Sequence, residues 1–287
     1  MNLKLFRKLC TFTQPQLLEI MTEFLQKNYN KVISTPSYVM AEGDLPVALV
    51  AHLDTVGPKP PKDIYYDQEA KIMWSPQLLG ADDRAGVYSI LKIIQDGYRP
   101  HVILTCDEEI GCIGAMTLAQ DFKRCPFKNL KALIQLDRRG QNDSVYYDCD
   151  NKKFEKFINS YGFETASGTF SDISVLAPAF KVAAVNLSIG YLNEHNPIET
   201  LNIDWMAATI EKVESILIDI DSHLRFKYIK SIYAYSDWIG GGPYTVVPIL
   251  PKSNKECCFC GQYLTKKNRI RTPDGLVICQ KCFAECY

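Results

Sequence analysis

With 287 residues, 47% of them hydrophobic and 23% charged, the chain can bury a sizeable core and is neither a minimal domain nor a disordered chain. Its formal net charge of −1 excludes a global attraction to nucleic acid or to an anionic membrane. The opening stretch MNLKLFRKLCTFTQPQ lacks an apolar signal core, and no apolar run approaches the ~20 residues of a spanning helix, so a cytoplasmic location is expected.

In chain order, residues 16–29 carry apolar side chains at helical spacing, with Pro15 at the start. Residues 46–51 (PVALVA) are a short apolar run that suits a buried strand ending at His52-Leu53-Asp54. A helix is predicted over 83–96, stopped by Gly97 and Pro100. The strand 101–106 (HVILTC) follows and ends at Asp107-Glu108-Glu109. A helix over 112–121 and a strand over 131–136 ending at Asp137 come next. Helices are predicted over 152–160 and after Ser171, a strand over 182–187 leads into Tyr191–His195, and a long helix over 203–219 closes the unit. Strands alternating with helices predict an α/β fold, a mostly parallel sheet covered on both faces.

The expected organisation is a catalytic domain over 1–220, a connector over 221–255 and a small module over 256–287. The connector is rich in aromatics, carries a GGG hinge and ends in a Pro/Lys/Ser/Asn stretch.

Acidic residues or histidine stand just past the C-terminal ends of four predicted strands, where open α/β sheets place their ligand sites. The candidate metal ligands are His52, Asp54, Asp82, Asp83, Glu108, Glu109, Asp137 and His195. Imidazole nitrogens with several carboxylates suit a pair of zinc ions, one carboxylate bridging both. In the Glu108-Glu109 pair, one side chain can bind metal while its neighbour stays free to take a proton. Taken singly, Asp82-Asp83 reads as a helix cap and Glu108-Glu109 as a solvated pair. Their recurrence at one edge of one sheet is what points to chemistry.

The segments AHLDTV (51–56), LLGADDRAGV (78–87), DEEIG (107–111), LDRRG (136–140) and NEH (193–195) resemble the co-catalytic zinc exopeptidases, a group that includes peptidase T, the leucyl-type aminopeptidases and related deacylases. The resemblance runs in order from about residue 46 to residue 220. It implies that His52 and Asp137 hold one zinc, Glu109 and His195 the other, and that Asp82 bridges them with Asp83 alongside. It further implies Glu108 as general base and Asp54 as the residue that orients His52. Gly168-Thr169-Phe170-Ser171-Asp172 is similar to a segment lining the site in that group, which suggests substrate contacts for Thr169 and Asp172. About thirty residues separate Asp137 from Gly168, too few for the lid domain that peptidase T inserts there. An oxyanion stabiliser must then come from within the domain, and Tyr191 is the candidate. Arg138 and Arg139 are candidates for a bidentate clamp on a substrate carboxylate.

Six of the eleven cysteines crowd into the last 31 residues. Cys257-x-x-Cys260 and Cys279-x-x-Cys282 have the spacing of a four-cysteine structural zinc site. From residue 252 to 287 there are seven Lys or Arg against three Asp or Glu, a weak basis for nucleic-acid binding and no better than a docking role. The functional expectation is a di-zinc aminopeptidase acting on short peptides. A deacylase or amidase with the same ligands is the alternative, and a non-catalytic binding protein working through the zinc module is a further one.

Overall fold

Two amphipathic helices open the chain, α1 (Leu3–Cys10) and α2 (Gln14–Asn28). Phe6 and Leu9 on the first, and Leu17, Met21 and Leu25 on the second, recur at helical spacing and are all buried. Thr13 caps α2: its amide donates to Gln16 Oε1 at 3.0 Å, while Pro15 needs no partner in the first turn. The strands β1 (Val32–Ser34), β2 (Tyr38–Ala41) and β3 (Leu45–His52) follow, then the short pair β4 (Tyr65–Asp67) and β5 (Ile72–Trp74). Next come α3 (Ala81–Gln95), β6 (Pro100–Thr105), α4 (Ile113–Gln120), β7 (Ala132–Arg138) and β8 (Asp143–Val145). The unit is completed by α5 (Lys152–Asn159), β9 (Glu164–Ala166), α6 (Asp172–Phe180), β10 (Ala183–Ser188), β11 (Tyr191–Leu192), β12 (Thr200–Asn202) and α7 (Ile203–Asp219).

Eight strands form the main sheet in the order β1-β2-β6-β3-β7-β10-β8-β9. Its centre, β6-β3-β7-β10, is parallel, while β2 and β8 pair antiparallel at its flanks. Strand β3 shows why both faces are covered. Val47, Leu49 and Ala51 enter one apolar cluster, and Ala48 and Val50 enter the other. Each large apolar side chain buried this way contributes about 1.5–3 kcal/mol. The expected mostly parallel α/β sheet is therefore present. A second sheet, β11-β12-β5-β4, is antiparallel and built from strands of two or three residues, too short for any periodicity to show.

The computed structural model describes residues 1–57, 59–220, 225–231, 264–265, 268–271 and 277–280. The chain divides into two compact units, Met1–Ala234 and Tyr235–Tyr287. Residues beyond α7 still belong to the first unit: Phe226 is buried, its amide donates to the Lys131 carbonyl at 3.1 Å, and its carbonyl accepts from the Ala183 amide at 2.8 Å. In the second unit, β13 (Arg269–Arg271) pairs antiparallel with β14 (Val277–Cys279). Among the described residues no helix is long and apolar enough to cross a membrane.

Candidate metal centre

The parallel strands end side by side, and that edge gathers the polar residues. His52 is the last residue of β3, Asp137 lies one residue from the end of β7, and Glu108 and Glu109 follow β6 by three and four residues. Asp82 and Asp83 sit in the first turn of α3, where their backbone leaves helical geometry (φ −79°, ψ 102° and φ −117°, ψ 37°). Gly80 before them takes φ 70°, a conformation that suits glycine. His195 lies in the loop between β11 and β12.

Asp82 stands between the two histidines. Its Oδ1 is 3.0 Å from His52 Nε2, and its Oδ2 is 3.2 Å from His195 Nε2. His52 Nε2 also lies 3.5 Å from Asp137 Oδ1, and His195 Nε2 lies 2.9 Å from Glu109 Oε2. Ligand atoms of His52, Asp82 and Glu109 fall within 4.8 Å of one another, and so do those of His52, Asp83 and Asp137. His52 and Asp82 are buried, whereas the His195 side chain is 50% exposed and opens the cluster to solvent.

A shell of further groups holds these side chains. Asp54 Oδ1 approaches His52 Nδ1 to 3.2 Å, without the alignment of a hydrogen bond. The two Asp54 oxygens accept the amides of Glu108 and Glu109 at 3.0 Å each. Asp83 is turned to the backbone, accepting the amides of His52 (3.1 Å) and Gly86 (3.0 Å). Asp137 accepts from Ser171 Oγ (2.8 Å), Gln135 Nε2 (3.0 Å) and the Tyr191 hydroxyl (3.2 Å). Glu199 accepts the amides of Gly80 (2.6 Å) and Asp82 (2.9 Å) and so pins the turn that presents Asp82. Glu199, Ser171 and Gln135 were not among the sequence candidates; an isolated Glu, Ser or Gln carries no signal until its neighbours are known.

The electrostatics are those of an anionic pocket short of cations. Burial, reinforced by Asp137, Asp172 and Asp82, pushes Glu108 up to about 9. Burial and Asp82 raise Asp137 to about 6, and burial raises Asp172 and Glu199 to about 7 each. Burial opposes ionisation of Asp82 too, but His195 and His52 overcome it and hold that carboxyl well below the usual range. Burial alone would lower His52, yet Asp137, Asp54 and Asp82 outweigh it and raise the imidazole well above its ordinary value. Buried Glu109 Oε1 and Asp172 Oδ1 have no hydrogen-bond partner. A surplus of buried carboxylate, an orphaned oxygen and two imidazoles make a donor set that fits divalent zinc.

The remaining predicted residues are dispersed around this cluster. Asp172 is fully buried, with Oδ2 accepting the Thr105 hydroxyl, and its ligand atom lies within 4.8 Å of those of Glu108 and Cys112. Thr169 is exposed. Arg138 is bound to Asp143 (3.3 Å) and to the Ser167 carbonyl (3.2 Å), and Arg139 to Glu194 (3.0 Å). Of the four module cysteines, Cys279 is a buried residue of β14, while Cys257, Cys260 and Cys282 lie outside the described residues.

Residues 37–173 match peptidase family M28, a span that takes in every predicted site residue from His52 to Asp172. No curated protein sequence matches the chain. Similar solved structures include aminopeptidase PepT from Bacillus cereus, with 13% identity, a TM-score of 0.61, and coverage of 76% of this chain and 98% of the other. A tripeptidase from Staphylococcus aureus shares 13% identity at a TM-score of 0.62, over 77% and 98% of the two chains. A TET aminopeptidase from a marine thaumarchaeote shares 13% identity at 0.55, over 76% and 96%. At such identity these structures report the fold, and they do so in agreement with the family match. Over residues 37–173 the chain is similar to peptidase family M28, and its sheet and strand-end loops have the fold of the PepT and TET aminopeptidases.

Proposed function

We propose that the first unit is a di-zinc aminopeptidase that removes residues from short peptides. The observation that carries this reading is the division of one carboxylate between two imidazoles, Asp82 facing His52 and His195 at 3.0 and 3.2 Å. In this reading His52 and Asp137 would hold one metal and Glu109 and His195 the other, with Asp82 serving both. Two zinc ions bound there supply polarisation of the scissile carbonyl and a water that is nucleophilic near neutral pH. Glu108 takes the proton of the attacking water and returns it to the leaving amine. Its raised carboxyl suits a group that must hold a proton for part of the cycle. Asp54 fixes the His52 ring and, through two backbone amides, the position of Glu108.

The Tyr191 hydroxyl is committed to Asp137, which supports a role in steadying that carboxylate over one in polarising the substrate carbonyl. Arg139, through Glu194, braces the loop that carries His195, and Arg138 is occupied by Asp143 and Ser167. The cysteines Cys257, Cys260, Cys279 and Cys282 are read as ligands of a separate structural zinc. A peptide substrate in the cytoplasm and protein docking by the module complete the proposal.

The test compares free-amine and N-acylated dipeptides on zinc-loaded protein. Hydrolysis of the free-amine series supports the aminopeptidase, and hydrolysis confined to the acylated series would replace it with a deacylase. Glu108→Gln should retain its metal while turnover falls by about 10²–10⁴. Unchanged turnover would remove Glu108 as the base.

A further inference from the structure

The end of the sheet opposite the metal centre carries a second concavity. A cleft of about 1150 Å³ opens where β3, β7 and β10 begin, walled by Pro46, Leu130 and the chain around residues 179–181. It lies far along the strands from His52 and Asp137, which stand at or near their opposite ends.

Charge is concentrated there with the opposite sign. Lys31, Lys128, Lys131, Lys181 and Arg225 line the cleft against Glu42 and Asp44. Lys31 and Glu42 satisfy one another at 2.7 Å, and Lys128, Lys181 and Arg225 remain on the wall beside Asp44 in a chain of formal net charge −1. The main chain holds this cluster together. Arg225 Nη2 donates to the carbonyls of Phe180 (2.7 Å) and Lys181 (3.4 Å), and the next residue, Phe226, is hydrogen-bonded to both Lys131 and Ala183. Among the described residues no ion pair engages the ammonium of Lys128 or of Lys181. Like charges gathered on a concave wall repel one another and focus a field that attracts anions.

The wall also carries planar apolar surface. Phe127 is stacked on His101, with centroids 4.4 Å apart and planes 14° apart, and lies nearly parallel to Phe180 at 6.3 Å. Phe122 stands at the rim, 42% exposed. Ring faces beside cations form the surface that accepts a stacked base together with its phosphate. The volume is close to that of small-molecule sites, about 300–1,000 Å³.

We propose that this cleft binds nucleotides, with the phosphates among Lys128, Lys181 and Arg225 and the base against the phenylalanine rings. The ligand chemistry is shared by a free nucleotide and by the end of a single strand, so the experiment has an arm for each. Zinc-loaded full-length protein is titrated with ATP by calorimetry, with a labelled short oligo-uridylate by anisotropy, and with inorganic pyrophosphate as a charge control. ATP or the oligonucleotide should saturate and bind about fivefold or more tighter than pyrophosphate. K128E/K181E should weaken that binding about tenfold or more while dipeptide hydrolysis is unchanged. F122A should weaken nucleotide about fivefold and leave pyrophosphate unaffected. Lys128 and Lys181 are exposed, so the double variant should keep its melting temperature; if it does not, K128Q/K181Q takes its place. Failure of both nucleotide probes to saturate, equal affinity for pyrophosphate, or full binding by the double variant would each overturn the proposal. The last result would place the phosphates elsewhere, for example at the metal centre.

Discussion

Asp54 serves three partners at once, the His52 ring and the amides of Glu108 and Glu109. Removing it would free the two proposed ligands His52 and Glu109 and the proposed base Glu108 together. Asp54→Ala should therefore weaken zinc binding by about 10–100-fold in a competition titration, and an unchanged affinity would deny Asp54 its positioning role. His101 illustrates a structural histidine of the other kind. Its Nδ1 accepts the Gly43 amide at 3.0 Å, so the proton sits on Nε2, which meets the Lys128 carbonyl at 3.1 Å. The Gly43 bond needs the neutral ring, whereas Nε2–H donates to the Lys128 carbonyl in either state, and burial lowers the ring's pKa below the ordinary 6.5. A depressed folded-state value means that this stabilisation is present above about 6.5 and is lost as pH falls through the lowered value. Urea unfolding from pH about 7.5 down to about 5.5 should show wild-type stability falling relative to His101→Gln, and parallel curves would count against it.

At the scale of elements, α3 is pressed onto β7 at Gly86. A Cβ there would sit 2.3 Å from the Leu136 carbonyl oxygen and 2.4 Å from Asp83 Oδ1. The contact needs glycine because the nearer of the two atoms is backbone and cannot yield, and the other belongs to a carboxylate held by the amides of His52 and Gly86. Gly86→Ala should cost about 3 kcal/mol in denaturant unfolding, and a cost near zero would mean that the helix can move away freely. The same contact sets where Asp82 and Asp83 stand, so the variant should also bind zinc less tightly. The main strands and helices were legible because their apolar residues recur at the period of the element. The strands β1, β4, β5, β8, β9, β11 and β12 span two or three residues each and have no period to read, and β2, four residues buried on both faces, shows no alternation either. Helix α1 is eight residues long, about two turns, too short for its apolar spacing to stand out from the basic residues between.

For the whole molecule, the two ends of the sheet carry opposite chemistry, carboxylates with imidazoles at one and cations with phenyl rings at the other. Because metal binds the folded chain and not the unfolded one, chelation should lower the melting temperature and added zinc should restore it. Zinc analysis of the loaded chain should approach three ions, two in the first unit and one on the cysteines. A total of one would remove the paired centre. Sequence alone determined the order of the four parallel strands and of α2 to α7, the kinds of candidate ligand, and their place at strand ends, since apolar periodicity and side-chain chemistry are local properties. It also carried the likeness to the exopeptidases, because five short motifs keep their order along the chain. The tertiary structure alone decided that Asp82 faces both histidines, that Tyr191 is engaged by Asp137 and Arg138 by Asp143, and that Glu199 holds the turn before Asp82. Those contacts join residues far apart in the chain, and they follow from which strands lie side by side and how α3 crosses them, relations that no local pattern encodes.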